Sequence, residues 1–313
     1  MPPFEQGRFE DLPEHPRKAH DYAATTAREI AMTSRPFGDI VIHAREYGSG
    51  PPLLLLHGLM TTSYSWRYVV KRLGEHFRVI APDMPGCGKS TLRATASYDL
   101  ASLATWVSEF VDAAGIRGCA AIGNSLGGLV MMRAALDSPG VVSRLVNIHS
   151  PAFPEGRYFV LQAALAIPGV RALLSRQIRR DPLRWAHKNV HYADETLKSL
   201  EEAHAYGDPL ATPEGAGSFI GYLAGALAPH GFARFVEELA ETTFPVPLRL
   251  VYATTDPLVR PANGPRLAKL VKHAELVWLE GSSHFAHVDT PDALVDAVLP
   301  FLESAAAAPR ARE

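Results

Sequence analysis

Short apolar runs, each closed by turn residues, recur along this chain at residues 52–57, 77–82, 119–124, 145–150, 248–253 and 275–279. Runs of that length suit buried parallel strands, which need apolar side chains on both faces. Between them, apolar residues return every three or four positions over 66–73, 100–114, 126–137, 261–271 and 291–302, the periodicity of helices. Strand alternating with helix predicts a parallel sheet covered on both faces, an α/β fold. Residues 39–47 alternate apolar and polar instead, so they read as a half-buried strand in an edge hairpin. Upstream of them, a helix is expected over about 20–33.

The alternation lapses between 151 and 244, where helix-like patterning carries many aromatics and prolines and shows no convincing strand. This stretch reads as a helical cap inserted into one domain. The expected organisation is an N-terminal extension (1–36), a core in two pieces (37–150 and 245–303), the cap (151–244) and an alanine-rich C-terminal tail (304–313).

Composition narrows the function by exclusion. A net charge of −2 over 313 residues, with no block of like charges, offers nothing to recruit nucleic acid or an anionic membrane. Two cysteines, Cys87 and Cys119, make no disulfide framework, and no Cys/His cluster has zinc-ligand spacing, so no metal is expected. The N-terminus lacks a basic region followed by an apolar run, and no apolar stretch nears the roughly eighteen residues of a spanning helix. A cytoplasmic protein without a membrane span is the expectation; the oligomeric state leaves no mark in the sequence.

One motif carries chemistry. Gly123, Asn124, Ser125, Leu126 and Gly127 form G-x-S-x-G directly after a strand-like run and directly before a helical one. A serine on such a turn projects its hydroxyl above the sheet, and the helix behind it aims its first amides at developing negative charge. The hydroxyl is a poor nucleophile alone and needs a base, which needs a partner to fix its tautomer. In this arrangement the acid and then the histidine follow the serine along the chain. Asp256, just past the run 248–253, is the candidate acid, and Asp289 and Asp292 fit better as helix-start residues. His284, in the loop after 275–279, is the candidate base, with His287 its rival. Backbone amides of Leu126 and of Leu59, the latter beside Gly58, are the candidate oxyanion hole. His57 reads as a structural member of that loop. Residues 83–90, DMPGCGKS, imitate the end of a phosphate-binding loop, but Asp83 stands where the spacing demands glycine.

Taken together, HGLM, DMPGCGKS, GNSLGG, TTDPLVRP and SSHFAHVDTP, in this order, resemble the α/β-hydrolase superfamily from about Asp39 to Leu302. The resemblance implies an eight-stranded, mostly parallel sheet with a cap over the active site. HGLMTTSYSWRYV also looks like the entrance loop of haloalkane dehalogenases and epoxide hydrolases, which attack with an aspartate. Here Ser125 occupies that position, and Leu59 stands where a dehalogenase places a polar halide ligand. Serine attack on an alkyl carbon would end in an inert ether, whereas attack on a carbonyl gives an acyl-enzyme that water releases. The implied activity is carboxylic ester hydrolysis, on a small-molecule ester or other carbonyl substrate with a hydrophobic acyl part and without a cofactor. Carbon-carbon cleavage of diketone-like substrates and non-catalytic ligand binding are the alternatives. Phe153, Tyr158, Phe159, Leu161, Trp185, Tyr192, Phe219, Tyr222 and Leu223 are offered as pocket lining, with at least half of them expected to be helix core instead. Arg176, Arg179, Arg180 and Arg184 read first as a solvated helix face and second as a lure for an anionic substrate.

Overall fold

The computed structural model of the chain describes residues 4–306. Its strands are β1 (Thr26–Ser34), β2 (Gly38–Tyr47), β3 (Pro52–Leu56), β4 (Arg78–Pro82), β5 (Cys119–Asn124), β6 (Val142–Ile148), β7 (Leu248–Ala253) and β8 (Glu275–Leu279). The first helices are α1 (Val70–Gly74), α2 (Leu100–Ala113) and α3 (Leu126–Asp137). Six more follow β6: α4 (Gly156–Ala166), α5 (Val170–Arg180), α6 (Pro182–Asn189), α7 (Leu200–Gly207), α8 (Pro213–Gly225) and α9 (Pro229–Glu241). The last are α10 (Asn263–Leu270), α11 (Ala286–Asp289) and α12 (Pro291–Ala306). The strands form one eight-stranded sheet in the order β1-β2-β4-β3-β5-β6-β7-β8. β2 runs antiparallel to both β1 and β4, and all other pairs are parallel.

The leucine run of β3 shows why both faces must be covered. Successive side chains leave a strand on opposite faces, so Leu54 and Leu56 join the core that holds α2 and α3. Leu53 and Leu55 join a second core with α1 and α12. All four are buried, each contributing roughly 1.5–3 kcal/mol of burial free energy. β6 and β7 pair directly, Leu145 opposite Leu248, so the helices α4–α9 leave and re-enter neighbouring strands of a single sheet.

The helix expected over 20–33 is not formed. Residues 26–34 are the edge strand β1, paired with β2 from Thr26 opposite Glu46 to Ser34 opposite Gly38. Alanine, arginine and glutamate favour helix in isolation, and an edge strand open to solvent shows little alternation; of its nine residues only Ile30 and Ser34 are buried. The sheet therefore begins inside the stretch read as an extension through residue 36. At the other end α12 runs on to Ala306, and residues 307–313 of the expected tail lie outside the described residues.

Before β1, the chain runs along the inserted helices: the amides of Leu200 and Glu201 donate to the carbonyls of Pro13 and Glu14, at 2.8 and 3.0 Å. Below them, the fully buried Arg67 pairs with Glu202 of α7, and Glu202 also accepts from Tyr192 at 2.6 Å. A buried pair of this kind fixes position, because removing either partner strands the other's charge.

Candidate active site

Ser125 sits between β5 and α3 with φ 53° and ψ −121°, a backbone conformation that costs a non-glycine residue about 1–3 kcal/mol. Two hydrogen bonds hold it there. Its amide donates to Ile148 O at 2.7 Å, and Ser150 Oγ donates to Ser125 O at 2.7 Å. The turn also depends on Gly127, where a Cβ would lie 2.3 Å from Leu56 O. The result presents the Ser125 side chain to a cavity while the residue remains only 8% exposed.

His284, in the loop after β8, faces the same cavity. Its Nδ1 donates to Asp256 Oδ2 at 2.8 Å, which leaves Nε2 free to take a proton from the pocket side. The Asp256 side chain is fully buried after β7, and its Oδ1 accepts from the amides of Leu258 and Val259 at 2.7 and 2.8 Å. Burial alone would raise its pKa. The opposing charge of His284, with hydrogen bonds and the nearby His149, outweighs burial and holds the carboxyl well below the usual carboxylate range. Asn124 Nδ2 also donates to His284 O at 2.9 Å, tying the histidine loop to the residue before the serine. Ser125 Oγ and His284 do not meet hydrogen-bond geometry in this structure; such contacts commonly tighten when substrate binds.

A third residue of this cluster escaped the sequence analysis. His149, just past β6, is fully buried with φ 52°, and its Nδ1 lies 2.9 Å from Asp256 Oδ2, off the line of a good hydrogen bond. Its Nε2 accepts from the Ala253 amide at 2.8 Å, so the ring proton is on Nδ1 and faces the carboxylate. Burial keeps this ring's pKa below the ordinary histidine value despite Asp256. His149, Asp256 and His284 bring three ligand-type atoms within 4.8 Å. A nitrogen that holds its proton against a carboxylate has no lone pair for a metal, so the cluster fits proton positioning rather than coordination. No sequence motif marks His149; only the parallel pairing of β6 with β7 sets it beside Asp256.

The other candidates separate. Gly58 lies against the serine turn, where a Cβ would be 3.1 Å from Ser125 Cβ, and Leu59 and Leu126 both line the cavity. Leu126 opens α3, so its amide has no carbonyl a turn earlier to bond. His57 is buried with Nε2 accepting from Met84 N at 2.9 Å and Nδ1 donating to Gly58 O at 2.8 Å, which braces this loop. His287 is buried against Trp66, 4.3 Å between ring centroids, and does not line the cavity. Asp292 lies in the first turn of α12 beside Arg72, as a helix-start residue should. Asp289 does not: it ends α11, where its carboxylate accepts from Ser283 N and Ala193 N at 2.9 and 2.8 Å and joins the histidine loop to the inserted helices. In the loop 83–90, Asp83 Oδ2 already accepts from the Lys89 amide, which a bound phosphate would need.

The cavity measures about 280 Å³. Of the side chains offered for it, Tyr158, Leu161, Phe219 and Leu223 line it. Phe153, Tyr192 and Tyr222 are core, Trp185 packs against Phe219, and Phe159 points to solvent. Arg157 and Asn189 supply its few polar side chains besides Ser125 and His284.

The arrangement of strands, helices and serine turn defines a hydrolase fold, and comparison assigns the family. Residues 51–291 match the family model described as alpha/beta hydrolase fold, and the chain belongs to that family; it is a hydrolase. It is 26% identical over 263 residues to the pimeloyl-[acyl-carrier protein] methyl ester esterase of Aeromonas hydrophila, covering 83% of this chain and 99% of that one. Haloalkane dehalogenase 2 of Mycobacterium tuberculosis is 27% identical over 270 residues, 82% of this chain and 90% of the relative. Among solved structures, the ligand-free epoxide hydrolase CorEH superposes with a TM-score of 0.72 at 22% identity, covering 90% of this chain and 99% of that one. That last likeness speaks to the fold alone.

Proposed function

We propose that the protein is a serine hydrolase of carboxylic esters with a hydrophobic acyl part, working through an acyl-enzyme. The observation that carries this reading is the His284–Asp256 hydrogen bond opening onto the same apolar cavity as Ser125. Ser125 Oγ attacks the carbonyl carbon as its proton passes to His284 Nε2, and the carbonyl oxygen gains charge facing the amides of Leu59 and Leu126. Collapse expels the alcohol, which takes the proton from His284. Water then gives a proton to His284 as it attacks the acyl carbon, and the acid leaves with Ser125 Oγ reprotonated. Throughout, the Asp256 carboxylate keeps the Nδ1–H tautomer and offsets the imidazolium charge.

The inserted helices act as a cap, with Tyr158, Leu161, Phe219 and Leu223 around the acyl group. An ester hydrolase among the relatives supports the substrate class. Dehalogenation and epoxide opening do not fit, because their alkyl intermediate on a serine would be a stable ether. Hydrolysis of a p-nitrophenyl ester series of increasing acyl length, by wild type and Ser125→Ala, tests the reading. Turnover that requires Ser125 supports it; turnover unchanged in the variant, or absent on every ester, overturns it.

A further inference from the structure

The helices α4 and α5 combine three properties found together nowhere else among the described residues. First, α4 carries apolar side chains on both its inward and its outward face. Tyr158, Leu161 and Leu165 face inward to the cavity and core, whereas Phe159, Val160, Ala163, Ala166 and the following Ile167 stand on the outward face. A water-soluble helix normally gives its outward face to polar residues. Second, exposure concentrates here: Phe159 (59%), Val160 (70%), Ile167 (56%) and Leu173 (67%) are four of the six most exposed large apolar side chains among the described residues. Third, residues 156–180 hold five arginines and no acidic residue, in a chain whose net charge is −2.

On α5, Leu173, Arg176 and Arg180 follow at i, i+3 and i+7, one outward stripe. Among the described residues no acid pairs with Arg176, Arg179 or Arg180. The two helices bend by 101° at residues 167–169 and so form a corner, and no single described helix is long and apolar enough to cross a membrane.

We infer that this corner docks on an anionic lipid surface, contrary to the expectation drawn from overall charge, because the balance of −2 conceals a local excess of arginine. Phe159, Val160, Ile167 and Leu173 enter the boundary between headgroups and acyl chains, and the arginines lie at the level of the lipid phosphates. Charge selects this occupant over a second copy of the chain, because two copies meeting through this face would bring Arg176, Arg179 and Arg180 of each together without an acidic residue on α4 or α5 to offset them. The cavity lies just behind α4, whose inner residues Tyr158 and Leu161 line it, so docking brings the pocket to the acyl phase. Given the serine-esterase reading, on which this consequence alone rests, the substrates are esters carried in lipid.

Sedimentation of the full chain with vesicles tests the docking without calling on catalysis, and the Ser125→Ala protein serves as well as wild type. Phosphatidylglycerol/phosphatidylcholine vesicles should pull down the protein, with affinity falling as salt rises, and pure phosphatidylcholine should bind far less. Arg176→Glu/Arg180→Glu should weaken binding roughly tenfold or more, and Phe159→Ser/Leu173→Ser at least about tenfold. Both pairs are exposed, so melting curves should match wild type. Absence of the wild type from the anionic pellet overturns the inference. So does unchanged binding by both variants, or a wild-type dimer in solution that Phe159→Ser/Leu173→Ser dissociates.

Discussion

Replacing Asp256 by asparagine changes one oxygen to an NH2 group, and the surroundings dictate which. Asp256 Oδ1 accepts from two amides, Leu258 and Val259, so the asparagine keeps its carbonyl there and turns the NH2 to the place of Oδ2. Two imidazole nitrogens meet it, His284 Nδ1 at 2.8 Å and His149 Nδ1 at 2.9 Å. His149 is fixed as a donor because its Nε2 accepts from Ala253. His284 is the ring that yields: it accepts from the amide through Nδ1 and carries its proton on Nε2, where the serine proton would have to go. The expected loss is roughly 10³ to 10⁴ in kcat, about 4–5.5 kcal/mol of barrier, with KM nearly unchanged. Steady-state kinetics on a p-nitrophenyl ester, with a melting curve as control for folding, measures it. A kcat within about tenfold of wild type, or a loss confined to KM, would refute this account of the tautomer.

Other residues carry narrower expectations. His149→Leu removes one imperfectly aligned contact to the carboxylate and orphans the Ala253 amide, so kcat should fall roughly five- to tenfold at constant KM and stability by about 1–3 kcal/mol; an altered KM with unchanged kcat would argue against a positioning role. His287→Ala should keep most activity while lowering the melting temperature, since its ring packs on Trp66 and not in the cavity. Burial lifts the Asp289 carboxyl to about 6, despite its bonds from Ser283 and Ala193. A folded value above the unfolded one gives stability that is full below about pH 4 and lost as pH rises through about 6. The stability of wild type relative to Asp289→Asn should therefore shrink from pH 4 to pH 7, by an order of 1–3 kcal/mol; a difference in melting temperature that is flat or grows over that interval would contradict it.

The sequence spoke clearly wherever burial imposed a period. The runs 119–124 and 248–253 coincide with β5 and β7 because strands covered on both faces must be apolar throughout. The run 275–279 coincides with β8 although that strand is the other edge of the sheet and buries only Leu279, because its residues are β-branched, aromatic and aliphatic enough to signal a strand locally. Ser125, Asp256 and His284 were visible for a related reason, as each closes or follows such a run, and a parallel sheet gathers those ends on one side. β1 was misread because an edge strand has no second neighbour and little buried face, which leaves helix-favouring composition as the only local signal. His149 and Asp289 act through partners remote in sequence, Ala253 and Asp256 for one, Ala193 for the other. The outward face of α4 was hidden for the opposite reason: its apolar residues look like core in a sequence, and only the fold separates those facing the cavity from those facing solvent.

The central claim is that Ser125 is the nucleophile, and covalent trapping addresses it most directly. Incubation with a p-nitrophenyl alkylphosphonate, followed by mass spectrometry of the intact and digested protein, should show a single adduct on the peptide containing Ser125 and none in Ser125→Ala. An adduct on another residue, or no adduct from an enzyme that is turning over esters, would contradict the account.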